Sequence, residues 1–347
     1  MTDSSEHSSA KPGAPKPYDV LVVGGDVASL MAALDCARIG LRVVVLATPA
    51  SAHRPTLFRH RDGVVASLLT ELDIDFQIRE SPSAQGSIVG IPANPFAPDV
   101  RAALGWRGAW RVYVDRVTPL LTIGTEDNLG TLIRRRMGAR ALDALVNPVL
   151  AELYGRTADE LRVAAIVPGL SQAMTRAGSL TTGVIELILA DPRAAQTVDV
   201  EGGIDRIEAL VREKLAFFAA DIINVTQVEL TLRDDATFVA TAGARAAKGA
   251  DAETDADAEP IAVIAQALLL NPDVSTRPVY AADVADVSHV SHVADAADER
   301  IGEVGITSRQ PGLESAVPAS RAASVAIRRV LLSDPNRLPL GPLSLEG

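Results

Sequence analysis

Apolar residues form two short runs near the start of the chain, and a segment of helical periodicity separates them. The runs at 20–23 and 42–46 are almost wholly aliphatic, as is typical of strands buried on both faces. Between them, residues 27–39 predict an amphipathic helix that ends at Gly40, because glycine commonly follows a helix C-terminus. This order of strand, glycine turn, helix and strand predicts the opening βαβ unit of a Rossmann-type α/β domain.

The pattern becomes helical after residue 96 and returns to mixed α/β near residue 200. This order predicts an α/β fold in which a helical domain interrupts a discontinuous Rossmann-type domain. We expect a disordered tail at 1–17, an α/β domain made of 18–95 and 200–332, a helical insertion at 96–199, an acidic loop at 243–260 and a tail at 333–347.

Shorter periodic segments predict the remaining elements. They are a helix at 63–72, a strand at 88–91, a glycine turn entering a helix at 202–218, hairpin strands at 225–232 and 237–241, strands at 261–270 and 278–283, and a closing amphipathic helix at 316–332.

The turn after the first strand departs from the nucleotide-binding pattern G-x-G-x-x-G. Gly24 is intact, but Asp26 and Ser29 replace the second and third glycines, and Ala47 stands where an acidic residue normally binds a ribose hydroxyl. The second glycine normally lets the backbone approach a pyrophosphate at the helix N-terminus. The carboxylate of Asp26 either repels a phosphate there or caps the helix by accepting its free N–H groups, and we favour the cap.

Composition narrows the class of partner. A net charge of −11 argues against nucleic acid. The lone Cys36 offers no disulfide framework, which suits the reducing cytoplasm where we expect the protein, and it is interpreted as a small core residue. Residues 1–16 lack the apolar segment of a signal peptide, and no run of about 18 apolar residues predicts a membrane span.

Two other groups of polar residues are candidates for ligand binding. The loop with Arg54, Arg59 and Arg61 could bind phosphate, although we favour a solvated loop. His289 and His292 form an H-x-x-H pair without an evident third ligand, so we predict no metal site. No set of Ser/His/Asp or Cys/His residues indicates a nucleophile, and no catalytic residue is identified.

Trp106, Trp110 and Tyr113 recur at helical spacing within the predicted insertion, so they share one helix face. Such a stripe either packs inside the helical domain, which we favour, or lies on a membrane surface and makes the protein membrane-associated.

Several stretches, taken in order, resemble the flavin-dependent protoporphyrinogen/coproporphyrinogen oxidases of the flavin amine oxidase superfamily. The most specific is 126–170, which contains an arginine-rich helix ending at a glycine, a leucine-valine-x-proline segment and a tyrosine. The other stretches that resemble the family are 88–95, 201–215, 225–230, 280–284 and 313–323.

The resemblance implies a Rossmann-type FAD/NAD(P)-binding domain that holds FAD. The implied cofactor contacts are Gly24, Gly25, Asp26, Ser29, Val228 and Asp283. It also implies an oxidoreductase of heme biosynthesis, which oxidises a porphyrinogen (a reduced tetrapyrrole) through flavin with oxygen as acceptor.

The chain also departs from this family in length. Its segments 267–270 and 279–283 are almost contiguous, whereas in the family a large part of the substrate-domain sheet separates the matching strands. We therefore expect a reduced substrate-domain sheet. The alternative to an active enzyme is a degenerate, non-catalytic relative that keeps the fold as a binding or regulatory protein.

Overall fold

The structure, a computed structural model, describes residues 17–49, 51–80, 86–118, 126–232, 237–244, 261–270, 303–306 and 311–333. Its strands are β1 (Tyr18–Val23), β2 (Val43–Ala47), β3 (Leu57–Arg59), β4 (Gln77–Glu80), β5 (Ser87–Ile88), β6 (Ile91–Pro92), β7 (Gln196–Asp199), β8 (Asp221–Leu232), β9 (Phe238–Ala244), β10 (Ile261–Leu270) and β11 (Glu303–Gly305). Its α-helices are α1 (Val27–Ala37), α2 (Val64–Leu72), α3 (Pro98–Tyr113), α4 (Leu129–Arg136), α5 (Ala139–Ala141), α6 (Asn147–Tyr154), α7 (Val163–Ile166), α8 (Leu170–Ala177), α9 (Leu180–Ala190), α10 (Gly203–Phe217) and α11 (Leu313–Ser333).

The main sheet combines a parallel part with an antiparallel part. β1 pairs in parallel with β2 on one side and with β10 on the other, so the first strand lies in the interior of the sheet. β2 also pairs in parallel with β8, and β10 with β11. β9 is antiparallel to both β8 and β10. The predicted βαβ unit, the hairpin strands and the strand at 261–270 are therefore confirmed as β1–α1–β2, β8–β9 and β10.

β8 and β10 are long because each belongs to both parts of the sheet. β8 pairs with β2 through 221–224 and with β9 from Val225 onward, whereas β10 pairs with β9 through 261–265 and with β1 through 265–270. The alternate residues of β1 consequently enter two apolar cores. Val20 and Val22 pack with α1, while Leu21 and Val23 pack with the antiparallel strands. This arrangement explains the absence of polar residues in the interior of β1.

The helical insertion has its own core, which extends in sequence from Ile88 to Val184. α3 contributes Val100, Leu104 and Val112 to that core. Trp106 and Trp110 lie on the opposite side of α3 and are 61% and 54% exposed, so the favoured prediction that they pack inside the domain is wrong. The helix is interrupted at Gly105, whose φ is +67°.

Two features differ from the sequence-based expectation. The segment predicted as one strand at 88–91 is a hairpin of β5 and β6 that turns at Val89 and Gly90, and a Cβ on Gly90 would lie 2.0 Å from the Leu145 carbonyl oxygen. β3, β7 and β4 form a small antiparallel sheet that was not predicted. These strands have three or four residues each, which is too short for a period of two to be recognised.

The last strand and helix of the described residues complete the α/β part of the fold. β11 lies beside β10 and precedes α11, which begins at Leu313 and packs on α1. The predicted strand at 278–283, most of the loop at 243–260 and most of both tails lie outside the described residues. Among the described helices, none is long and apolar enough to cross a membrane.

Candidate ligand cleft

The glycine turn after β1 is held tightly against the end of β2. The amide of Gly24 donates to the carbonyl oxygen of Leu46 at 3.1 Å, and the φ of Gly24 is +149°. A Cβ on Gly25 would lie 2.0 Å from the carbonyl oxygen of Thr48, so no side chain fits at that position. The two glycines that the chain retains are therefore required by the packing of the turn itself, whether or not a ligand binds.

Asp26 caps helix α1. Its backbone is extended, and its Oδ1 accepts hydrogen bonds from the amide of Ser29 at 3.1 Å and from the Ser29 hydroxyl. Ser29 is fully buried, so this cap is shielded from water on the protein side. The favoured interpretation of Asp26 as a helix cap is confirmed, and a free N–H group at this helix N-terminus is satisfied by the chain itself.

A cleft of about 390 Å³ opens beside this cap. The N-termini of α1 and α11 both reach it, as do the C-terminal end of α6 and the loop before β3. Its volume is in the range of small-molecule sites, about 300–1,000 Å³. The walls are partly apolar, formed by Val27, Ala28, Phe58, Leu153, Ile204, Ile306 and Leu313, and partly polar, formed by Asp26, His53, Arg54, Arg59, Tyr154, Arg156, Glu208 and Glu314.

Three buried polar residues lie on one wall of the cleft: Tyr154, Glu314 and Arg59. The Tyr154 hydroxyl donates to Oε1 of Glu314 at 2.8 Å, and Arg59 donates to the carbonyl oxygen of Ile166. Burial, followed by the negative charge of Glu314, raises the pKa of Tyr154 well above its ordinary value, so this tyrosine stays protonated. Sequence reasoning missed this group, since its members are distant in the chain and match no motif.

Two arginines of the basic loop are paired with carboxylates. Arg54 donates through Nε to Asp205 at 2.8 Å and through Nη1 and Nη2 to Glu208 at 3.0 and 2.6 Å. These hydrogen bonds raise the pKa of Arg54 and keep it charged. Arg61 contacts Asp62 at 3.2 Å. Arg59 is buried, so the favoured prediction of a freely solvated loop is wrong, whereas phosphate binding by this loop stays a prediction.

The described residues that the resemblance assigned to FAD lie at the turn before α1, in α1 and on β8. Asp26 lies on the cleft wall, whereas Val228 is buried in β8 opposite Ala242 of β9. Asp283, His289 and His292 lie outside the described residues, and no cluster of metal-ligating side chains occurs in the part that the structure describes. Ile306, at the end of the strand that leads to α11, lies on the cleft wall.

The cleft residues do not fit the phosphates of FAD. In Rossmann domains the pyrophosphate lies at the N-terminus of the first helix, where backbone N–H groups bind it. Here the carboxylate of Asp26 occupies that position, and Glu314 adds a second buried carboxylate in the first turn of α11. Of the three arginines in this cleft, Arg54 is neutralised by two acidic side chains and Arg59 donates to the carbonyl oxygen of Ile166, whereas Arg156 is exposed.

Comparisons with known proteins agree with this fold. No family model matches the chain. A stretch of 104 residues is 29% identical to coproporphyrinogen III oxidase from Bacillus subtilis and covers 30% of this chain and 22% of that protein. A candidate protoporphyrinogen oxidase from Exiguobacterium sp. 255-15 has a similar structure, with a TM-score of 0.50 and 19% identity over 74% of this chain and 59% of that one.

These similarities cover only part of each relative. The chain spans about a fifth of the curated relative and less than two thirds of the solved structure. The chain therefore has the fold of this solved structure over 74% of its length, and a stretch of 104 residues is similar in sequence to coproporphyrinogen III oxidase.

Proposed function

We propose that this chain is a non-catalytic member of the flavin amine oxidase superfamily, which keeps the fold as a binding or regulatory protein. It does not hold the pyrophosphate of FAD at the N-terminus of α1. The observation that carries the proposal is the Asp26 cap, which places a carboxylate at the N-terminus of α1 and on the wall of the cleft. That position must bind the most highly charged part of a dinucleotide.

The electrostatic cost is large enough to decide binding. Two unit like charges 4 Å apart near a protein surface repel by about 4 kcal/mol, which corresponds to roughly a thousandfold in affinity. The helix dipole stabilises one anion at its N-terminus, and Asp26 already provides that anion. In addition, Ala47 cannot accept the hydrogen bond of a ribose hydroxyl.

A second candidate function is an FAD-dependent oxidoreductase of the protoporphyrinogen/coproporphyrinogen oxidase type. The 104-residue similarity to coproporphyrinogen III oxidase favours it. Such an enzyme of heme biosynthesis would oxidise a porphyrinogen through flavin with oxygen as acceptor, and the protein would supply position and exclude water.

Flavin binding separates the two candidates. Purified protein is dialysed after incubation with excess FAD, and its visible absorbance is compared with that of Asp26→Gly, Asp26→Asn and the matched control Asp62→Gly. Asp62 is exposed and has a φ of +57°, so glycine is tolerated there. We expect no retained flavin in the wild type or the control and a gain in Asp26→Gly, with a smaller gain in Asp26→Asn.

Stoichiometric flavin in the wild type would overturn the proposal and leave the oxidoreductase, whose porphyrinogen oxidation would then be assayed. A gain of flavin that is equal in Asp26→Gly and Asp62→Gly would show that the Asp26 carboxylate is not the obstacle.

A further inference from the structure

The wall of the cleft holds a carboxylate oxygen that the chain does not use. Among the described residues, the half-buried carboxylate of Asp26 receives hydrogen bonds from Ser29 alone, and its Oδ1 accepts both of them. Its Oδ2 has no donor in this part of the chain. A molecule in the cleft therefore gains most if it brings hydrogen-bond donors to this oxygen.

His53 adds a second unused group to the cleft wall. Its Nε2 is buried and has no hydrogen-bond partner in the part of the chain that the structure describes. The ring packs on Gly155, where a Cβ would lie 2.7 Å from Cγ and 2.9 Å from Nδ1 of the imidazole, so Nε2 lies on the far side of the ring. A buried ring nitrogen without a partner is uncommon, so its place on the cleft wall points to a ligand that completes its hydrogen bonding.

The ion pairs at one side of the cleft carry no spare positive charge. The single guanidinium of Arg54 faces two carboxylates, those of Asp205 and Glu208. This group is therefore net negative. It does not offset the charge of Asp26, which has no basic partner among the described residues.

The other two basic residues of the cleft do not reverse this balance. Arg59 and Glu314 are both buried beside Tyr154, so their opposite charges compensate each other. Arg156 is exposed, and water and salt screen its charge. The interior of the cleft thus favours a positive ligand over a negative one.

We propose that the cleft binds a planar organic cation, an amidinium or guanidinium group carried on an apolar body. Such a group presents several N–H donors in one plane, which suit a carboxylate and a ring nitrogen together. It is more weakly hydrated than an ammonium group and stacks on aromatic rings, which suits walls that include Val27, Phe58 and Ile204. The inference rests on the proposed function, because it needs a cleft free of the pyrophosphate of FAD.

Four small aromatic probes of similar shape test the charge and the geometry of the ligand. Benzamidine carries a planar cation, benzylamine a tetrahedral cation, benzamide no charge and benzoate a negative charge. Each is titrated by calorimetry into protein dialysed without added FAD. We expect benzamidine to bind at least roughly tenfold more tightly than benzamide and roughly threefold more tightly than benzylamine, and benzoate not to bind.

Variants locate the binding site. Asp26→Asn keeps an acceptor for the cap of α1 but removes the charge, and it should weaken benzamidine binding by roughly tenfold or more. His53→Phe keeps a ring against Gly155 but removes Nε2, and it should weaken binding roughly threefold to tenfold. Asp62→Asn is the matched control, because Asp62 is exposed and does not belong to the cleft wall. It should bind benzamidine as the wild type does.

Three results would overturn the inference: no binding of benzamidine by flavin-free protein, equal affinity for benzamidine and either benzylamine or benzamide, or equal losses in Asp26→Asn and Asp62→Asn. Flavin retained by the dialysed wild type would instead overturn the proposed function. The two failures are distinguishable, because visible absorbance reports the flavin and the heat of titration reports the cation.

Discussion

At the scale of single residues, Asp26 carries both the cap of α1 and our proposal that FAD does not bind at its usual position. Its carboxylate stabilises the helix on which the first core is built. The stability of α1 can therefore be measured separately from the proposed effect on anion binding.

Replacing Asp26 with alanine should lower the free energy of unfolding by about 1 kcal/mol, because the amide of Ser29 loses its acceptor. Asp26→Asn keeps an acceptor oxygen and should stay near the wild-type value. Urea unfolding followed by circular dichroism measures both variants. Equal stability of the alanine and wild-type proteins would contradict the cap.

The raised pKa of Tyr154 predicts that the free energy of unfolding falls at alkaline pH. Its pKa is raised in the folded protein above the ordinary value of 10.0, so the folded state keeps the proton more firmly than the unfolded state does. The contribution of Tyr154 to the free energy of unfolding is fully present below pH 10 and declines as the pH rises further. The difference in unfolding free energy between wild type and Tyr154→Phe, measured from neutral pH upward, should shrink above pH 10. A difference that does not change with pH would contradict this prediction.

At the scale of secondary-structure elements, a buried ion pair fixes the helical insertion. Asp115, which follows α3, accepts from Nε of Arg136 on α4 at 2.5 Å and from the amide of Thr181 on α9 at 2.9 Å. Three helices thus meet at one carboxylate, which is fully buried.

Asp115→Ala should destabilise the protein by about 3–5 kcal/mol, because it removes the carboxylate that neutralises the largely buried charge of Arg136. Asp127→Ala is the matched control. It breaks an exposed pair with Arg162 and should change the unfolding free energy by less than about 1 kcal/mol. Thermal unfolding of both variants tests the contrast, and similar losses would refute it.

The elements that sequence could predict are those with long, uniform patterns. The β1–α1–β2 unit and β10 were located to within a few residues because their apolar runs face two cores at once. The exposure of Trp106 could not be predicted, since an aromatic stripe has the same helical spacing whether its face packs on a core or points to solvent. The Tyr154–Glu314 hydrogen bond could not be predicted either, because the two residues lie 160 positions apart in the sequence.

At the scale of the whole molecule, Arg59 connects the α/β part to the helical insertion. It lies on β3 and donates to the carbonyl oxygen of Ile166 at the end of α7. In Arg59→Met, amide exchange in α7 and α8 should accelerate more than exchange in β1 and β2, because the contact between the two cores is lost. Arg79→Met, which affects an exposed pair with Asp199, should leave both rates unchanged. Equal acceleration in both parts would contradict a coupling role for Arg59.

The pairing of β1 with β10 has a consequence for how the protein is made. β1 leaves the ribosome early, but the strand that covers its second edge begins at Ile261. At synthesis rates of about 5–20 residues per second, the second edge of β1 stays unpaired for on the order of 10–50 s until β10 is made. During translation the first βαβ unit therefore presents an open strand edge, and residues 20–23 of that strand are all aliphatic. Nascent chains arrested before β10 should depend on chaperones, whereas completed chains should not.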